Sequence, residues 1–132
     1  MHSINIKIPI FDFRLNVRIA EYIDAVIKQY MRKFKMEAPE EDDEFHGLAV
    51  HAPNQKFYIF YQLHSLTPNY IVHEVSHIVD YIIEKTEVEK LGETRAYLTG
   101  YIAEKIFDYV LKHKLLISKH LEFVQKPAPM AE

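Results

Sequence analysis

Residues 67–80 read Thr67-Pro68-Asn69-Tyr70-Ile71-Val72-His73-Glu74-Val75-Ser76-His77-Ile78-Val79-Asp80. Ile71, Val75, Ile78 and Ile82 recur at helical spacing and predict one apolar stripe. His73, His77, Asp80 and Glu84 form a second stripe on the opposite side. Thr67 is a residue type that caps helices, and Pro68 suits a first turn. The segment therefore predicts a helix with a core face and a titratable face. His73 and His77 are one turn apart, so both imidazoles can reach a single metal ion. Glu74 is turned about 100° from His73. That offset suits a general base acting on water better than a third ligand.

The H-E-x-x-H spacing points to zinc, which takes neutral imidazole nitrogens in a tetrahedral site and, in catalytic sites, keeps one position open. The 132 residues contain no cysteine, so disulfides and thiolate ligands are excluded and any further ligand must be a histidine or a carboxylate. A third histidine six residues after the second would suit a metzincin pattern, but that position is Ile83. The carboxylate candidates are Asp80, Glu84, Glu87, Glu89 and Glu93. Asp80 and Glu84 stay on the histidine stripe, and the helical rise carries them away from the shared point. They suit a role in orienting a histidine. Glu87 and Glu89 fall in a charged turn. Glu93 opens the next helix, 16 residues after His77, and is the preferred third ligand.

Working outward, Ile4, Ile6, Ile8 and Ile10 alternate with polar residues and Pro9, which predicts a half-buried edge strand. Leu15, Ile19, Tyr22, Ile23, Val26, Ile27, Tyr30 and Phe34 then follow helical spacing and predict an amphipathic helix of about five turns. Residues 37–44 are an acidic linker. Gly47 to His51 and Lys56 to Gln62 predict two short strands around a turn at residues 52–55. The helix from Glu93 carries Tyr97, Leu98, Tyr101, Ile102, Ile106, Phe107, Tyr109 and Val110. It is apolar around most of its circumference and is expected to be deeply packed. Ala96, Gly100 and Ala103 would let another helix approach closely. Residues 115–124 predict a last short helix. Residues 1–125 are expected to form a single domain, with a flexible tail at 126–132.

Hydrophobic residues make up 48% of the chain, enough for a sizeable core. The formal net charge of −3 gives no electrostatic case for nucleic acid. No run approaches a membrane span of ~18 apolar residues, and the first residues lack the pattern of a signal segment. The expectation is a cytoplasmic protein with no membrane partner. Nothing in the sequence assigns an oligomeric state.

H-E-V-S-H at 73–77 followed by E-T-R-A-Y at 93–97 resembles the gluzincin group of zinc metallopeptidases, in particular its small, phage-associated forms. The resemblance covers residues 47–110. It implies an α+β fold of zincin-like type: a small, mostly antiparallel sheet packed on an N-terminal helix, the H-E-x-x-H helix and a glutamate helix. It implies His73, His77 and Glu93 as zinc ligands and Glu74 as general base. It also implies an edge strand, Lys56 to Gln62, that pairs with a peptide or protein substrate. Thermolysin-like enzymes carry an aspartate four residues after the ligand glutamate; here that residue is Tyr97. Tyr97 is thus expected in a different, catalytic role, with Asp80 supporting a ligand histidine. Those enzymes draw a catalytic histidine from a C-terminal domain. Here transition-state stabilisation is expected locally, from Tyr97, Tyr101 or His64. His46, His51, His113 and His120 are expected to be solvent histidines. Two other readings fit the same motif. One is a regulatory protease resembling those that cleave phage repressors. The other is a phage or mobile-element module that binds zinc without turnover.

Overall fold

The computed structural model describes residues 1–9, 11–37, 46–53, 56–86 and 92–117. Two strands open the chain, β1 (His2–Ile8) and β2 (Phe13–Ala20), paired antiparallel with Ile4 opposite Val17 and Ile6 opposite Leu15. The turn between them includes Asp12 at φ 56°, a left-handed conformation that aspartate tolerates better than most residues. The helical reading of residues 15–20 is therefore corrected. Leu15 and Ile19 are four apart, which is in phase for a helix and for a strand alike. Val17, also fully buried, decides the matter, because it belongs to the strand alternation only. The first helix is shorter than expected, α1 (Ile23–Lys33), with Asp24 in its first turn and Arg32 and Lys33 in its last.

β3 (Gly47–His51) and β4 (Lys56–Gln62) follow, and the sheet order is β1-β2-β4-β3. β4 runs parallel to β2 and antiparallel to β3. Two of the three pairings are antiparallel, in line with the sequence. The position of β4 is not: it is an interior strand with both edges paired, so it has no free edge for a substrate. Among the described residues the edge strands are β1 and β3, and β3 is the one beside the helix Pro68–Thr86. The composition of β4 explains its place, since Phe57 to Tyr61 is a continuous apolar and aromatic run, and all five residues are buried.

The two faces of β4 divide the core. Phe57, Ile59 and Tyr61 join Leu15, Val17 and Ile19 on one face, under α2 (Pro68–Thr86) and α3 (Glu93–Lys112). Tyr58 and Phe60 pack on the other face with Val50 and the α1 residues Ile23, Ile27 and Met31. The fold is α+β, with α1 on one side of the sheet and α2 and α3 on the other.

α3 is buried along a single stripe, Leu98, Ile102, Ile106 and Val110. Tyr97 and Leu111 on other faces are exposed, so the helix is less enclosed than its composition predicts. Among the described residues a side chain at Gly100 would meet nothing within 4 Å, so the close helix approach expected there is not seen. α3 ends where Lys114 turns left-handed, at φ 56°, and the Leu115 N–H returns to the Val110 carbonyl at 2.8 Å. Residues 115–117 are not helical; the rest of the expected last helix, residues 38–44, Glu87, Glu89, His120 and the tail at 126–132 lie outside the described residues. Among the described residues, no helix is long and apolar enough to cross a membrane.

Candidate metal centre

The chain enters α2 as its sequence predicts. The Tyr70 N–H donates to the Thr67 hydroxyl at 3.3 Å and the Ile71 N–H to the Thr67 carbonyl at 3.0 Å. Ile71, Val75, Ile78 and Ile82 are all fully buried, which fixes the rotation of the helix on the sheet. That rotation leaves His73 and His77 exposed and carries Glu74 to the boundary between core and solvent.

The two imidazoles meet edge to face, with Nε2 of His77 3.3 Å from Nε2 of His73. Two ligands at 2.0–2.1 Å from one tetrahedral ion lie about 3.3 Å apart. The nitrogens therefore already hold the spacing that one ion requires. Without an ion, one ring can donate to the other at the same distance. One carboxylate oxygen of Glu74 lies within 4.8 Å of both nitrogens, completing a group that could hold a metal ion.

Glu74 is the one charged residue buried among those described, at 7% exposure. It lies under β3, where the Ala49 backbone N–H donates to its carboxylate. Burial raises its pKa from the usual carboxylate range, while His73, His77 and the Ala49 hydrogen bond pull the other way. Net, the group holds a proton more readily than a solvated glutamate, which suits a base that must accept a proton and return it.

Gly47 makes room for this side chain. A Cβ there would lie 3.1 Å from Glu74 Cγ, 3.2 Å from Glu74 Oε2 and 3.1 Å from the Phe60 carbonyl oxygen. Tyr61 is buried close enough to feel its charge. Its buried hydroxyl donates to the Ile71 carbonyl at 2.7 Å, and burial, followed by the Glu74 charge, raises its pKa well above the usual phenol value. Tyr61→Phe keeps the packing but removes that hydrogen bond. We expect a loss of about 1 kcal/mol, read as a lower midpoint in urea with an unchanged slope.

Of the other predicted residues, Glu93, Asp80 and His64 are not in this group. Glu93 is the exposed first residue of α3 and is not in the histidine–glutamate cluster. The Asp80 carboxylate accepts from the Arg95 guanidinium, tying α2 to α3. Tyr97 is half exposed and stacks on Tyr101 at 6.1 Å. His64 pairs with Glu21 at 3.1 Å.

Two neighbours of Glu74, Gly47 and Tyr61, are not distinguished by the sequence pattern. The chain has only three glycines, which was a usable signal for Gly47. His46 is not a solvent histidine. It is half-buried, stacks on Tyr70 at 4.2 Å, and its Nδ1 is buried without a partner among the described residues. His51 and His113 also hold aromatic contacts, with Phe57 at 4.6 Å and Tyr109 at 4.1 Å. Comparison with protein-family models, with curated proteins and with solved structures finds no match, so the reading of this site rests on the geometry of His73, Glu74 and His77.

Proposed function

We propose that the chain is a zinc-dependent peptidase of gluzincin type. The observation that carries this is the 3.3 Å spacing of the two Nε2 atoms with a buried glutamate beside them. A purely structural site has no use for a buried carboxylate that holds its proton above the usual range; a hydrolytic one does. Bound zinc supplies Lewis acidity and a water of lowered pKa. The chain's own residues do the rest. His73 and His77 hold the ion. Glu74 takes the proton of the attacking water and passes it to the leaving nitrogen. The open edge of β3 runs from Gly47, beside Glu74, to His51, and can take an extended peptide as an added strand.

Two histidines leave a protein donor to be found, and Glu93 is the residue we assign to it, on resemblance rather than on distance. Its place outside the cluster favours the rival reading, a zinc-binding interaction module without turnover. The experiment that separates ligand from bystander is metal retention after dialysis. The parent should retain about one zinc per chain. Glu93→Ala should lose most of it, while Asp80→Ala should weaken affinity by about 10–100-fold at most, as residues that only orient a ligand do. Equal retention in Glu93→Ala and the parent would remove Glu93 from the ligand set. A parent protein that stays zinc-free would sink the whole reading.

A further inference from the structure

The alternation that turns Ile6, Leu15 and Phe57 toward α2 and α3 turns their neighbours Lys7, Arg14 and Lys56 to the other face of the sheet. In register, Lys7 lies opposite Arg14, and Arg14 lies beside Lys56. Three cations therefore stand in one row across β1, β2 and β4. Neighbouring strands are about 4.8 Å apart, so the row is about 10 Å wide. Like charges directly opposite one another cost stability. An anion laid across the row offsets that cost.

The row is one wall of a cavity of about 350 Å³, which Arg18 and Lys33 also border. Five cations thus face one small volume, in a chain whose 19 acidic residues outnumber its 16 Lys and Arg. Among the described residues, no acidic side chain lines it. A concavity walled by one sign of charge focuses its field on whatever enters. Its volume is in the range of small-molecule sites.

Arg18 is held in place before any ligand arrives. Its Nε donates to Asn16 Oδ1, and the guanidinium carbon lies 5.3 Å from the centre of the Tyr30 ring. Asn16 is itself fixed, because its Nδ2 donates to Asn5 Oδ1 at 2.7 Å and to Ser3 Oγ at 3.2 Å. The Nε bond leaves the two terminal nitrogens of Arg18 to a ligand, as a fork that matches two oxygens of one phosphoryl group. Lys33 reaches toward the same ring, with Nζ 6.0 Å from its centre.

We propose that this cavity binds a chain of two or three linked phosphoryl groups, as inorganic polyphosphate or as the tail of a nucleotide. One phosphoryl group meets only part of a row about 10 Å wide, whereas linked groups reach along it. The cations converge on one cavity, whereas a nucleic acid strand calls for a charged groove that follows its backbone. The cavity is on the α1 face of the sheet, and His73, Glu74 and His77 belong to α2, which packs on the other. The proposal therefore stands without the peptidase reading.

The test is calorimetric titration of the full chain at about 150 mM salt, without divalent cations, with tripolyphosphate, ATP, adenosine and a thymidine oligonucleotide. The proteins are the parent, Arg14→Gln, Arg18→Gln, Lys112→Gln on α3, and His73→Ala at the metal centre. Expected is one tripolyphosphate per chain, bound alike by the parent, Lys112→Gln and His73→Ala. Arg14→Gln and Arg18→Gln should each bind it about 10-fold more weakly. Tripolyphosphate should also raise the urea midpoint of the parent more than that of either arginine variant. Adenosine alone should not bind. ATP bound as tightly as tripolyphosphate assigns the affinity to the phosphoryl chain; ATP bound more tightly, through the same arginines, identifies a nucleotide. A parent that binds no tripolyphosphate would overturn the proposal. So would binding that Lys112→Gln weakens as much as Arg14→Gln does, which is diffuse attraction. Binding lost in His73→Ala belongs to the metal centre and overturns it too, as does an oligonucleotide held by those arginines more tightly than tripolyphosphate.

Discussion

Replacing Glu74 by glutamine should leave zinc bound and abolish peptide cleavage. Glutamine has nearly the same shape, its carbonyl oxygen can still accept from the Ala49 N–H, and it removes neither histidine. It cannot take a proton from water. Among the described residues no other acidic group lies in the cluster, so a loss of at least about 10²–10⁴-fold is expected, the usual contribution of a placed base. Digestion of a peptide library by parent and variant, both shown to carry zinc, decides it. Equal cleavage by both would remove Glu74 from the mechanism. The same variant has a stability signature in the metal-free protein. Because burial raises the pKa of Glu74, the folded state binds its proton more tightly than the unfolded chain does. The stability linked to that proton is full below the ordinary carboxylate range and is lost as pH rises through the raised value. Glu74→Gln should therefore melt higher than the parent at about pH 8, with the gap closing toward about pH 4. A variant that melts lower at the higher pH would show that the carboxylate's hydrogen bonding outweighs its desolvation.

Substitutions at two glycines should move stability in opposite directions. At Gly47 a new Cβ meets Glu74 and, at 3.1 Å, the Phe60 carbonyl oxygen, which is held in the sheet and cannot yield. Gly47→Ala should be destabilising. Gly47→Val, with two further carbons at the same place, should lose about 2–3 kcal/mol and displace Glu74, so that any cleavage falls with it. At Gly100 a Cβ meets nothing, and the position is inside α3. Gly100→Ala should gain about 0.5–1 kcal/mol through helix propensity. Urea unfolding of the three variants is the measurement. A Gly47→Ala protein as stable as the parent would mean that β3 can shift away from α2, and the tight seat of Glu74 would have to be abandoned.

Much of the site is local in origin, which is why it was legible in the sequence. The i, i+4 spacing alone places His73 and His77 on one face, and the stripe of Ile71, Val75, Ile78 and Ile82 alone determines which face of α2 is buried. Thr67 and Pro68 mark where the helix begins. The alternation in β1 and the short apolar runs of β3 and β4 on either side of a turn likewise need no partner to be read. Residues 13–20 were not legible, because Leu15 and Ile19 satisfy both periods and only pairing with β1 and β4 selects the strand. Strand order was not legible either: which of two adjacent hairpin strands reaches the interior depends on the parallel contact of β4 with β2, whose paired residues, such as Arg14 and Lys56, are 42 apart in the chain. The same long-range packing decided the chemistry of Glu74. Spacing places it beside the histidines, but its burial, and with it the raised pKa, exists only because β3 closes over α2 at Gly47. His46 shows the limit most plainly, for nothing near it in sequence distinguishes it from a solvent histidine. Its stacking on Tyr70 is a contact between segments that tertiary structure alone brings together.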